Sequence, residues 1–303
     1  MIALTTDCFT DICNDPAVRA ELASLEENRA AAVRRFWIWI VASILLAAAA
    51  YVSLERTGWQ SLSFFGAVLF LIFGVALGWT ALSKVSEALK VPVLQALAAR
   101  AGVDYMETGF SPPAYPEARK ALFGRWLNRE RFTDLFHARD EDGRNVAVYE
   151  ACLQRSSGRS EQTVFRGQIY AIERPPSSSA TTVIVPDRGL FNFMKPMSGL
   201  ERVETGADPE FEKRFETYST SEAEARQLLF DSDLRRRLLD MREKGRVFVY
   251  VGPNDALVAA SGGDRFEPGS MLRARPGEDR VRSMVADVCD ALATVKALKA
   301  KLG

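Results

Sequence analysis

Two uncharged apolar runs dominate the first third of the chain. Phe36–Leu54 reads FWIWIVASILLAAAAYVSL and Ser61–Leu82 reads SLSFFGAVLFLIFGVALGWTAL. At about 1.5 Å per residue, each is long enough to cross a hydrocarbon layer of roughly 30 Å. The short link Glu55–Gln60 between them predicts an antiparallel hairpin with both chain ends on one side. The first run starts too late to be a cleavable signal, and a second span follows it. Helical spacing continues on both flanks. Asp15-Pro16 is a helix-start signal, followed by Val18, Leu22 and Leu25. Beyond the second run, Val85, Leu89, Val93 and Leu97 form a matching stripe before Gly102 ends the helix, with a kink expected at Pro92. The two stripes are expected to pack on each other, with binding to a membrane surface as the alternative.

After Gly102 the pattern changes. Pro112, Pro113 and Pro116 mark a linker, and 118–127 reads as a short helix. From there the period shortens toward two. Strands are predicted at 144–153, 163–173, with a bulge at Gly167, and 181–185. Arg246–Val251 and Ala256–Ala260 flank the turn Gly252-Pro253-Asn254-Asp255 as a hairpin. Asp279–Leu302 closes the chain as an amphipathic helix, with Val281, Val285, Val288, Leu292, Val295 and Leu298 along one stripe. The fold class is α+β: a two-helix transmembrane hairpin followed by a domain with a mainly antiparallel sheet and packed helices. The expected divisions are an N-terminal helix at 1–35, the hairpin at 36–82, a juxtamembrane helix and linker at 83–116, and a cytoplasmic domain at 117–303.

Charge refines this picture. Arg29, Arg34 and Arg35 precede the first run and Lys84, Lys90 and Arg100 follow the second, whereas the link holds only Arg56. Basic residues beside spans favour the cytoplasmic side. Both termini are therefore expected in the cytoplasm of a bacterium, with the hairpin in its inner membrane. Trp37, Trp39, Tyr51, Trp59 and Trp79 lie near the span ends, where amphipathic rings prefer to sit. Gly74 and Gly78 form a small-xxx-small pattern, and Ser43 and Ala47 repeat the spacing. Small residues let helices approach closely, within the hairpin or between copies in a homo-oligomer. Neither run contains a charged residue, which argues against a pump or proton relay.

Over the whole chain, 39 basic residues balance 39 acidic ones, so nucleic acid is not expected as a partner. The four cysteines, Cys8, Cys13, Cys152 and Cys289, show no metal-ligand spacing, and scattered thiols fit a reducing compartment. The sequence yields no catalytic, cofactor-binding or metal residues. His137, the only histidine, is a candidate base but reads more simply as structural. Cys152 reads as a small apolar residue within a strand. Ser261-Gly262-Gly263-Asp264 lacks phosphate-loop spacing and reads as a turn. Arg235-Arg236-Arg237 reads as a solvated helix face with local ion pairs. A second basic group, Arg273, Arg275, Arg280 and Arg282, could meet lipid headgroups.

The densest stretch is FEKRFETYST, Phe211–Thr220. Its carboxylates Glu212 and Glu216, with Glu210, Glu222 and Glu224 nearby, raise the question of an active site. Local structure answers more economically. Asp208-Pro209 starts a helix, and Phe211 and Phe215 lie four apart on one face. Phe215–Ser219 can run into a strand. Ser219-x-x-Glu222 and Ser221-x-x-Glu224 are both possible capping boxes for the next helix, and Asp231 can cap the one ending at Lys244-Gly245.

Phe165-Arg166-Gly167, Thr182-Val183 and above all DPEFEKRFETYSTSEAEARQLL, Asp208–Leu229, resemble a family of bacterial membrane proteins, the domain of unknown function numbered 3137. The preceding hairpin resembles the family arrangement too, so the likeness runs from about the first span to Ala260. Where the family more often continues to a proline after the leucine pair, this chain has Phe230-Asp231. The resemblance implies architecture and no catalytic residue. The function expected is a membrane-anchored interaction or scaffold protein, with a membrane-bound hydrolase as the alternative.

Overall fold

The computed structural model describes residues 9–55, 60–124, 127–156, 160–176, 179–187, 199–204, 206 and 208–303. The chain is α+β. It begins with α1 (Phe9–Asn14), α2 (Pro16–Glu55) and α3 (Gln60–Ala101). Then follow β1 (Asp104–Met106), α4 (Tyr115–Phe123), β2 (Arg129–Arg139), β3 (Asn145–Ser156), β4 (Glu161–Glu173), β5 (Thr182–Pro186) and β6 (Glu201–Val203). The remainder is α5 (Pro209–Arg214), β7 (Phe215–Ser219), α6 (Glu222–Phe230), α7 (Ser232–Lys244), β8 (Val247–Val251), β9 (Asp255–Ser261) and α8 (Gly277–Leu302). Two compact units result. A hairpin unit holds the described residues up to Leu97 with Glu267–Ala286, and a sheet unit holds Ala98–Phe266 with Asp287–Gly303.

In the hairpin unit, Asp15 caps α2 by accepting from Ala17 N at 2.9 Å. The link at 56–59 lies outside the described residues. Both long helices are apolar enough to cross a membrane, and only 11% and 17% of their apolar windows are buried within the protein. That is the exposure a lipid environment requires. Pro92 does not end α3; the helix carries on to Ala101. Val18, Leu25, Leu89, Val93 and Leu97 of the flanking stripes are buried. Gly74 lies against α2, where a Cβ would come within 1.7 Å of Ser43 Oγ. Gly78 lies against Phe36 in the same way, with a Cβ 2.7 Å from its ring. The glycine pair is thus taken up by packing inside the hairpin, the first of the two readings its spacing allowed.

In the sheet unit, nine strands pair in the order β1-β2-β3-β4-β9-β8-β5-β7-β6, every pair antiparallel. Alternation along the strands sends Tyr149, Phe165, Ile169, Leu257 and Phe248 into one core, which α4 covers with Ala118, Ala121 and Leu122. That helix starts at Tyr115, earlier than expected, because Pro116 suits its first turn. Gly167 is not a bulge. It pairs in register with Ala151 and Ser261, and a Cβ there would stand 2.1 Å from Ala260 O, so glycine permits close approach of β4 and β9. The irregularities fall instead between Thr133 and Phe136 on β2 and at the β3 step Leu153/Gln154.

Candidate functional site

A groove of about 820 Å³ opens in the sheet unit between α7, α8 and the sheet. Helical periodicity builds its walls. On α7, Asp231 accepts from Asp233 N and Leu234 N at the start, and Leu234 and Leu238 turn into the protein. The opposite stripe, Asp233, Arg236, Arg237, Asp240 and Lys244, faces the groove. Asp290, Thr294, Ala297 and Lys301 repeat that spacing on α8. Strand alternation supplies the floor, Gln168 and Tyr170 of β4 beside Ala260 of β9. The small side chains of Ala260 and Ala297 leave the space open.

Ion pairs set the walls. Lys301 Nζ lies 2.9 Å from Asp231 Oδ2 and 3.2 Å from Asp233 Oδ2, joining the end of α8 to the start of α7. These bonds raise the Lys301 ammonium above its ordinary pKa. Arg236, with Lys301 adding, holds Asp233 below the carboxylate range. Arg265 Nη2 donates to Asp287 Oδ1 at 2.8 Å and Nη1 to Asp290 Oδ2 at 2.9 Å. Burial pushes the Tyr170 phenol up to about 12. Five basic and three acidic side chains line the groove. Among the described residues, Arg237, Lys244 and Asp240 make no ion pair or side-chain hydrogen bond, so the groove offers two cations and one carboxylate to a ligand.

Beneath the groove lies a carboxylate that sequence reasoning missed. Glu150 of β3 is 1% exposed. Its Oε1 accepts from Gln168 Nε2 at 3.2 Å, Arg265 N at 2.5 Å and Phe266 N at 3.1 Å. Its Oε2 is buried without a hydrogen bond among the described residues. Burial pushes the carboxyl up to about 7; the Asp134 charge adds, and the two backbone donors pull the other way. Asp134 is buried too, at the β2 irregularity with φ 58°, and Tyr105 donates to it at 2.8 Å. In the sequence, Glu150 interrupts the otherwise apolar stretch 146–153, and that interruption was the available signal.

The carboxylates singled out in the sequence do not converge. Glu210 lies 3.9 Å from Arg214, and Glu212 accepts from Gly206 N at 2.6 Å. Glu222 pairs with Arg226 at 2.7 Å. Glu216 is the exception to a surface or capping role. It is 4% exposed, 3.3 Å from Arg202, and accepts from the Tyr218 hydroxyl at 3.0 Å. None of these lines the groove. His137 lies elsewhere, its Nε2 3.0 Å from Asn145 Oδ1, while Asn145 Nδ2 donates to Glu173 Oε2 at 2.6 Å. It borders a cavity of about 210 Å³ with Asn145, Glu173 and Asp255. Cys152 is half-buried on β3. The arginine triplet divides three ways. Arg235 donates to Leu229 O at the end of α6, Arg236 pairs with Asp233 at 2.8 Å, and Arg237 faces the groove. The glycine loop acts as a turn: Gly262 N and Gly263 N donate to Arg166 O, and Asp264 takes the Arg166 guanidinium.

Residues 163–300 match the model of a family described as protein of unknown function, DUF3137. The match includes Phe165, Thr182 and the Asp208–Leu229 segment, which carried the resemblance. It starts within β4 and runs past Ala260 into α8, so the groove lining except Lys301 falls inside it and the hairpin outside. No curated protein matches the chain. A solved structure that it resembles is the crystal structure of the mycobacterial trehalose monomycolate transport factor A, TtfA. The likeness has 13% identity and a TM-score of 0.35, over 66% of this chain and 92% of that one. So slight a likeness transfers neither fold nor role.

Proposed function

We propose that the chain is a membrane-anchored adaptor whose α7–α8 groove binds an acidic segment of a protein partner. The hairpin holds it in a bacterial inner membrane, with 117–303 acting as a cytoplasmic domain. The basic residues flanking the two apolar runs support that orientation. One observation carries the binding reading: Arg237 and Lys244 stand unpaired in an open groove whose other cations are neutralised internally, against Asp240 as the unpaired carboxylate among its described lining. Steering by such a surplus favours an anionic ligand. The alternative is a membrane-bound hydrolase with His137 as base. Its cavity is about a quarter the volume of the groove, and among the described residues no serine, threonine or cysteine lines it.

The test uses the full chain in detergent with a fluorescent oligoglutamate peptide as probe. Arg237→Glu with Lys244→Glu should weaken binding at least about tenfold, equivalent to about 1.4 kcal/mol. Glu222→Gln, outside the groove, should leave binding unchanged. A photo-crosslinking residue at Asp240 in native membranes should give a protein adduct. Peptide binding that ignores the double charge reversal overturns the reading.

A further inference from the structure

The loop 268–276 belongs to the hairpin unit. Met271 is buried in a cluster with Ala32 and Leu82, against which Phe36 and Val85 pack. Phe36 opens the first uncharged run and Leu82 closes the second. The loop is therefore held at the level where the apolar surface begins. Two arginines fix its backbone. Arg29 Nη1 donates to Met271 O at 3.3 Å. The buried Arg280 donates from Nη1 to Pro268 O at 2.9 Å and Ser270 O at 3.2 Å, and from Nη2 to Arg273 O at 2.7 Å. Arg282 is engaged elsewhere, 4.0 Å from the Phe9 ring centroid.

The second basic group of the sequence thus splits by role. Arg280 is a positioning residue, while Arg273 and Arg275 are exposed beside Leu272, itself 38% exposed, with Arg275 Nη2 also donating to Asp279 O at 2.9 Å. Pro268–Pro276 contains no acidic residue. Arg34, Arg35 and Lys84 are exposed close to Phe36 and Leu82 on the two long helices. A basic surface is therefore continuous with an exposed apolar one.

We propose that this loop is a lipid-headgroup site: Leu272 enters the interfacial layer, and Arg273 and Arg275, with Arg34, Arg35 and Lys84, bind the phosphates of anionic phospholipid. The proposal rests on the reading that the hairpin spans a membrane. A second copy of the chain is disfavoured as the occupant, because a symmetric contact would set like charges against each other. Each basic residue near an anionic surface should change the local lipid preference by about fivefold.

The full chain is reconstituted in phosphatidylcholine vesicles with or without phosphatidylglycerol, carrying an environment-sensitive fluorescent amino acid in place of Leu272. Brominated phosphatidylglycerol should quench it several-fold more than brominated phosphatidylcholine at equal mole fraction. Arg273→Glu with Arg275→Glu should abolish that preference while the chain still resists alkaline extraction. Equal quenching by the two lipids, no quenching in an extraction-resistant chain, or energy transfer between labelled copies in place of quenching overturns this proposal alone. Extraction of the unsubstituted chain by alkali overturns the spanning reading and this proposal with it.

Discussion

The rings of Phe211 and Phe215 stack with centroids 4.8 Å apart and planes inclined by 28°. Phe211 lies within α5 and Phe215 is the first residue of β7, so the contact closes the corner where helix becomes strand. Both rings are buried. Asp208 caps α5 by accepting from Glu210 N and Phe211 N. The dense stretch thus forms a helix-to-strand corner, within which Glu216 is buried.

Truncating Phe215 to alanine removes a stacked core ring and leaves a cavity, so Phe215→Ala should cost about 3–5 kcal/mol. Glu212→Gln, which keeps an acceptor for Gly206 N, should cost less than about 1 kcal/mol. Thermal unfolding of the full chain in detergent compares the two. An equal loss in both variants would contradict this ranking.

The two serines should differ in kind. Ser221 caps α6 by accepting from Glu224 N at 3.4 Å, so Ser221→Ala should cost about 1 kcal/mol. Ser219 ends β7, buried, with its hydroxyl 3.0 Å from Thr182 Oγ1 and accepting from Ser221 N at 3.1 Å. Ser219→Ala leaves those groups without their partner and should cost about 1–3 kcal/mol. Ser219→Thr keeps the hydroxyl and should recover part of the loss in the same melting assay.

Glu150 predicts a pH dependence. Its folded pKa of about 7 lies above the ordinary value of 4.5. Between those values the folded state binds more protons than the unfolded one, so stability falls as pH rises through the window. The full penalty, on the order of 3 kcal/mol, is reached above it. Glu150→Gln should therefore melt higher than the parent near pH 8, with the gain shrinking toward pH 5. A constant difference across that range would place the cause elsewhere.

Gly74→Val would drive a side chain into Ser43 Oγ and the Trp39 carbonyl. Helix packing in the hairpin should loosen, since lipid offers no hydrophobic drive to restore it. A cysteine pair placed across α2 and α3 should crosslink efficiently in the parent and several-fold less in the variant. Gly66→Val makes the control, because nothing lies within 4 Å of a Cβ there.

Orientation is tested by fusion. A reporter after Gly303 should behave as cytoplasmic and one inserted at Thr57 as external, following the basic flanks. Periplasmic activity of the C-terminal fusion would reverse the topology.

The sequence by itself determined the features that local physics settles. Uncharged length defines the two apolar helices. Capping chemistry starts α2, α5, α6 and α7 where Asp15, Asp208, Ser221 and Asp231 stand. The apolar runs flanking the turn Gly252-Pro253-Asn254-Asp255 locate β8 and β9, and the stripe from Val281 to Leu298 marks the buried face of α8. These signals act over a few residues, so they survive without knowledge of neighbours.

Only the tertiary structure decided the rest. Strand order joins β4 to β9 and β5 to β8 across long separations, which no local pattern encodes. The groove needs α7 and the end of α8 brought together by Lys301 and Asp231. Glu150 is a buried acid because donors from Gln168, Arg265 and Phe266 meet at one oxygen. Gly167 looked like a bulge because its reason, the Ala260 carbonyl, lies on another strand. The arginines 273, 275 and 280 look alike in sequence. The burial of Arg280 against backbone carbonyls separates them, since a guanidinium stripped of water must take every acceptor in reach.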